Sequence, residues 1–169
     1  MLKPALLYKD EIIQTFTEYL YTVDYYYYSG WCCGSILPEI KSEENLYQYA
    51  FVDGKNNVIG FLTYKTYDYN DTVQNFGLFS FNRGNPIIGI DLLRKLEELV
   101  ARHHRVEWQV IEGNPVKKHY DKFCKKHNGY IHHYHGTTKD IEGKYVDSYV
   151  YEIVNIKGEI HEDKRGTKE

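Results

Sequence analysis

The chain is poor in the features that mark several protein classes. It has three Cys, the adjacent Cys32 and Cys33 and the distant Cys124. An odd number without regular spacing argues against a disulfide framework, and adjacent Cys seldom bridge each other, so reduced thiols are expected. No apolar run approaches a membrane span, and the start, Met1-Leu2-Lys3-Pro4, is not followed by a long apolar segment. A cytoplasmic protein with no membrane partner is the expectation. Positive charge is not in excess: Lys and Arg number 21 against 24 Asp and Glu, a net charge of -3. That balance removes a general attraction to nucleic acid, and none is expected as partner.

Tyr is abundant, with 18 copies against 7 Phe and 2 Trp. Tyr, Lys, Asn and Ile are all frequent, as in proteins from AT-rich genomes, and that bias accounts for most of the Tyr. It does not account for the unbroken run Tyr25 to Tyr28. Tyr joins an apolar body to a polar tip and suits half-wet pockets and interfaces. The segment Tyr25 to Pro38, with Gly30, Gly34 and Pro38, lacks clean periodicity and reads as a loop.

At 169 residues the chain fits one domain. Residues 1–154 form it, and the polar stretch 155–169 reads as a flexible tail. Ala5 to Tyr8 could open a sheet. Ile12, Ile13, Phe16, Tyr19, Leu20 and Val23 have helical spacing, with Asp10 as N-cap. Tyr47 to Val52, the turn Asp53-Gly54, and Val58 to Tyr67 form a hairpin signal. Val73 to Phe81 is a further strand. Asp91 to His104 is the clearest helix, with Leu92, Leu96, Leu99 and Val100 on one stripe. Val106, Trp108 and Val110 alternate with polar residues as a strand. Asn114-Pro115 reads as an N-cap with Pro at the first helical position, and Gly129 as the stop of that helix. Tyr130 to His135 and Tyr145 to Val154 read as an antiparallel pair around Gly143. The fold class is α+β: a mixed, mostly antiparallel sheet flanked by helices.

The segment Phe81-Asn82-Arg83-Gly84-Asn85-Pro86-Ile87-Ile88-Gly89-Ile90 leaves a strand and enters the long helix. Unpaired N–H groups at a helix start bind phosphate, glycines admit close approach, and Arg83 adds a charge-assisted contact. A loop with two spaced glycines is more often only a turn; its place between strand and helix is what makes it a candidate. Further on stand Gly113-Asn114-Pro115-Val116-Lys117-Lys118-His119-Tyr120, then Phe123 and Asn128-Gly129-Tyr130. Tyr120 also fits as a core residue on the Val116/Phe123 stripe.

Residues 5 to 154 resemble the GNAT family of N-acetyltransferases on these two segments. The resemblance implies the acyl-CoA N-acyltransferase fold and acetyl-CoA as co-substrate, with an acetyl group moved to a primary amine by direct attack in a ternary complex. It implies that the strand residues Leu78, Phe79 and Ser80 lie beside the pantetheine arm. Arg83, Gly84, Ile87, Ile88, Gly89 and Ile90 would hold the pyrophosphate. Asn114 and Phe123 would contact the cofactor, and Tyr120 would protonate the departing thiolate. The family's loop is usually Gln/Arg-x-x-Gly-x-Gly/Ala; here Gly84 and Ile87 stand at its first and middle positions, and Pro86 has no N–H. Gly143-Lys144, followed by Asp147 and a Tyr-bearing last strand, is also common in the family.

The acceptor pocket is expected to include Tyr25 to Trp31, with Tyr27, Tyr28 and Trp31 as contacts, and the Tyr64-to-Tyr69 region, an aromatic wall suited to a cationic or polar amine. The acceptor is a small-molecule or peptide amine; a homodimer is left open. For the general base, Asp24, Glu112, Tyr134 and a water relay are all candidates. His133 and His135 share one face of a strand and His132 the other, but two His without fixed partners make no site, so no metal is expected. The rival reading is a non-catalytic module of the same fold, using the Tyr-rich loop for a partner.

Overall fold

The computed structural model describes residues 1–20, 22, 37–140 and 142–155. Chain order is β1 (Leu2–Pro4), a 3-10 turn (Ala5–Tyr8), α1 (Lys9–Tyr19), β2 (Leu46–Val52), β3 (Val58–Tyr67), β4 (Thr72–Ser80), α2 (Pro86–Arg102), β5 (Arg105–Ile111), α3 (Lys117–Lys126), β6 (Tyr130–Lys139) and β7 (Tyr145–Val154). The strands form one mixed sheet in the order β1-β2-β3-β4-β5-β7-β6. All neighbours are antiparallel except β4 and β5, which run parallel and are joined through α2. A parallel pair needs such a crossover, because no tight turn can return the chain to the same end. No helix among the described residues is long and apolar enough to cross a membrane.

The β4–β5 seam opens partway along. Val73 pairs with Val106 and Phe76 with Trp108, and no register partner follows. β4 carries one extra residue there: Asn75 has φ 55°, and Asn75 and Phe76 together lie against Tyr64 of β3. Such a bulge bends its strand. Beyond it Gly77 to Ser80 stay paired to β3, while Gln109 to Ile111 stay paired to β7. Each half of the sheet keeps its own register and the two halves part in a V.

Alternating side chains supply two cores. On one face Phe51, Leu62, Val73, Phe76, Val106, Trp108 and Tyr151 pack under Leu92, Leu96 and Leu99 of α2 and Tyr120 and Phe123 of α3. On the other, Ala50, Val52, Phe61, Phe79 and Phe81 meet Ile12 and Phe16 of α1. Glu97 of α2 pairs with Lys126 of α3, and its other oxygen lies 3.0 Å from His127 Nε2, off the line of a hydrogen bond. Hydrogen bonding from Lys126, against a smaller opposing effect of burial, holds the Glu97 carboxyl below its ordinary range. Its folded pKa is thus below its unfolded one. The stability it adds is present at neutral pH and is lost as pH falls through the folded value. We expect the stability difference between wild type and Glu97→Gln, read by urea unfolding at several pH values, to shrink towards zero below about pH 4. A difference constant with pH would mean that Glu97 stabilises by packing alone.

Several boundaries differ from the sequence reading. Ala5 to Tyr8 is a 3-10 turn rather than a strand, and the short strand precedes it. α1 begins at Lys9, one residue before the expected cap Asp10, which lies with Glu11 in the first turn where their charge suits the helix dipole. α2 begins at Pro86, five residues before Asp91, because Asn85 is its N-cap and Pro its first residue. α3 begins at Lys117; Asn114 and Pro115 form a separate turn before it, with Asn114 Oδ1 accepting from Val116 N–H at 3.1 Å. α3 stops because Asn128, not Gly129, takes the left-handed conformation, with φ 54°. Gly129 serves close approach instead: a Cβ there would stand 2.6 Å from the Glu152 carbonyl and 2.7 Å from Cys124 Sγ. Gly129→Ala is expected to cost about 1–3 kcal/mol, as overpacked cores do. Thermal unfolding checks it; an unchanged midpoint would mean that β7 yields at no cost.

Candidate active site

The V between β4 and β5 is a cleft of about 270 Å³. One wall is Phe76 to Ser80 of β4, and the opposite wall is Gln109 and Val110 of β5. Nothing of β5 pairs with Gly77 to Ser80, so the seam side of that strand offers backbone groups to an occupant. Arg83, Gly84 and Asn85 close one end with Ile88, Gly89 and Leu92 of α2. Asn114, Pro115, Val116, His119 and Tyr120 close the other side. The cleft is therefore built from two strand ends, one helix start and the first turns of a second helix.

Local sequence explains the helix start. Gly84 takes φ 82°, open to Gly at no cost. Asn85 N–H donates to the Asn82 carbonyl at 3.1 Å, and Asn85 Oδ1 accepts from Ile87 N–H at 3.0 Å. By helix geometry the Gly89 and Ile90 N–H groups already point to the carbonyls one turn back, at Asn85 and Pro86. The Ile88 N–H is the helix-start donor without such an assignment. Of the N–H groups the sequence assigns to an anion, one is held by the cap and two by the helix ladder.

Tyr120 is 4% exposed, on the cleft side of α3. Its ring meets Trp108 edge-on at 5.7 Å and Tyr151 at 5.7 Å. Burial alone pushes the phenol above its ordinary pKa, so it carries its proton at any physiological pH. Tyr151 beneath it donates to Asp121 Oδ1 at 2.7 Å. Near the cleft, the neighbouring Glu112 carboxylate, aided by burial, pushes the Tyr149 phenol up to about 12.

The fold brings together Leu78, Phe79, Ser80, Arg83, Gly84, Ile88, Gly89, Asn114 and Tyr120. Phe79 contributes backbone there, since its ring packs in the α1 core. Ile87 and Ile90 are 48% and 57% exposed and are not in the cleft lining, and Phe123 lies in the core against Trp108. Tyr27, Tyr28, Trp31 and Asp24 fall outside the described residues. Sequence reasoning missed Asn85, Gln109 and His119. Asn85-Pro86 carried the same cap-and-proline signature that was read at Asn114-Pro115. Gln109 and His119 carry no signal of their own, since one is a polar residue in an alternating strand and the other sits on the exposed side of a helix.

The seven-stranded mixed sheet split between β4 and β5, with helices on both faces, is the acyl-CoA N-acyltransferase fold of the GNAT type. No family model and no curated protein matches the sequence. Solved structures do match in shape. An N-acetyltransferase from Staphylococcus aureus Mu50 superimposes with a TM-score of 0.62 over 91% of this chain and 97% of that one, at 15% identity. The spermidine/spermine N-acetyltransferase of Vibrio cholerae gives 0.54 over 69% of each chain, at 17% identity. These likenesses establish the fold.

Proposed function

We propose that the protein is an acetyl-CoA-dependent N-acetyltransferase acting on a primary amine. The observation that supports this most is the single cleft in which an unpaired strand edge, a helix start and a protonated buried Tyr meet. In this reading the pantetheine arm, itself an amide chain, runs along Gly77 to Ser80 as an added strand, and backbone N–H of β4 polarises the thioester carbonyl. The pyrophosphate lies at the loop Arg83 to Asn85 and the Ile88 N–H, with Arg83 as counter-charge. The acceptor amine, once neutral, attacks the thioester carbon; the carbon–sulfur bond breaks, the thiolate takes a proton from Tyr120, and the attacking nitrogen gives its own proton to water, from which the Tyr120 phenolate is reprotonated. Burial keeps the proton on Tyr120 until a thiolate forms beside it. That spermidine/spermine N-acetyltransferase shares the fold makes polyamines a sensible first acceptor to try.

Thermal unfolding with and without acetyl-CoA tests the cofactor site. At about a hundred times its dissociation constant the ligand should stabilise the protein by roughly 2.7 kcal/mol. Arg83→Ala, which removes one exposed charge, should weaken binding by about tenfold, the worth of one charge-assisted contact. No shift with acetyl-CoA would leave the rival reading of a non-catalytic module with the same fold.

A further inference from the structure

β6 departs from regular pairing beside β7. Tyr134 faces Ser148 and Thr138 faces Val146, so His135, Gly136 and Thr137 all lie against Asp147. Gly136 turns the bulge with φ 58°, and its N–H donates to Asp147 Oδ1 at 2.9 Å. That bond fixes the carboxylate, and its other oxygen receives two imidazoles: His133 Nε2 at 2.6 Å and His135 Nδ1 at 3.2 Å. The His133 ring is held in turn by flat stacking on Tyr149, 4.6 Å between centroids at 8°. The three donor atoms all lie within 4.8 Å of one another.

We propose that His133, His135 and Asp147 form a binding site for a divalent first-row transition cation such as Zn²⁺. Metal–nitrogen and metal–oxygen bonds of about 2.0–2.2 Å put neighbouring donor atoms roughly 3–3.5 Å apart; the two imidazole–carboxylate separations are 2.6 and 3.2 Å and all three donors lie within 4.8 Å, so small side-chain rotations at this exposed edge would seat an ion. Two imidazoles and one carboxylate suit such a cation and disfavour Mg²⁺ and Ca²⁺, which take oxygen donors. The Gly136 N–H and the Tyr149 ring are the outer supports that orient ligands in metal sites. Three protein ligands leave a coordination position for water, and the donors are half-exposed to exposed, so the ion has an entry path. The sequence alone could not assemble this site, because Asp147 meets the two His only through strand pairing. None of the three lines the cleft, so the proposal does not depend on the transferase reading.

The test is isothermal titration of Zn²⁺, and of Mg²⁺ as control, into untagged protein freed of metal by chelation and dialysis. Wild type should take up about one equivalent of Zn²⁺ and show no heat with Mg²⁺. His135→Ala, at a largely exposed position, should weaken Zn²⁺ binding by at least about tenfold without shifting thermal unfolding in the absence of metal. Asp147→Asn should do the same to binding. His132→Ala, whose ring pairs with Glu152 instead, should leave it unchanged. Co²⁺ in place of Zn²⁺ should give visible d–d absorption that His135→Ala abolishes. No stoichiometric uptake by wild type, or uptake equal in His135→Ala and Asp147→Asn, as thiol ligands would give, overturns the proposal and leaves the cluster a hydrogen-bonded triad.

Discussion

Tyr120→Phe is expected to bind acetyl-CoA as the wild type does and to transfer the acetyl group about a hundredfold more slowly, the usual worth of one general acid. Phe keeps the ring that packs against Trp108 and Tyr151 and loses only the hydroxyl, so stability should hold. The loss should fall on kcat with KM little changed, because the proton moves only as the carbon–sulfur bond breaks. A purely structural Tyr120 would show the reverse: altered unfolding with turnover intact. Unchanged kcat in a stably folded Tyr120→Phe would remove it as the acid and leave proton delivery to water.

The largest stability loss is expected at Trp108. It is fully buried in β5 at the last paired position before the seam opens. Its ring lies flat on Tyr151 at 5.2 Å and meets Tyr120 and Phe123 edge-on. Trp108→Ala would open a cavity under α3 at a cost of about 3–5 kcal/mol. Against a typical total of roughly 5–15 kcal/mol, that brings the chain close to unfolding at room temperature. Trp108→Phe should cost much less: the indole N–H is buried with no hydrogen-bond partner among the described residues, and its removal gives up no bond. Chemical denaturation of the two variants separates the effects. Equal losses would mean that the indole's second ring, not the cavity, carries the stability. Because Trp108 also supports the Tyr120 ring, Trp108→Phe should slow transfer more than it weakens acetyl-CoA binding.

Much of the scaffold was legible in the chain. The β2–β3 hairpin followed from two alternating runs around Asp53-Gly54, and Asp53 does accept from the Lys55 and Asn57 N–H groups in that turn. The Leu92, Leu96, Leu99 stripe marked the face of α2 that is buried. These features are set by residues close in sequence, where periodicity and turn chemistry act directly. Helix starts were less legible. Asn-Pro occurs twice, and only tertiary contacts decide that Asn85 caps a helix while Asn114 closes a turn ahead of one.

What lay beyond the sequence is what two distant segments do together. The opening of the β4–β5 seam depends on one extra residue at Asn75, which β3 accommodates and β5 does not follow. No local pattern announces it, since a bulge exists only relative to a neighbouring strand. The same holds at the sheet edge, where His133 and His135 were visible as a pair but their carboxylate, Asp147, arrives from β7. The sequence by itself determined the elements, their buried faces and the order of strand, loop, helix and Tyr. Tertiary structure decided which backbone groups remain unpaired and which side chains share a cavity, because both are fixed by pairing between segments far apart along the chain.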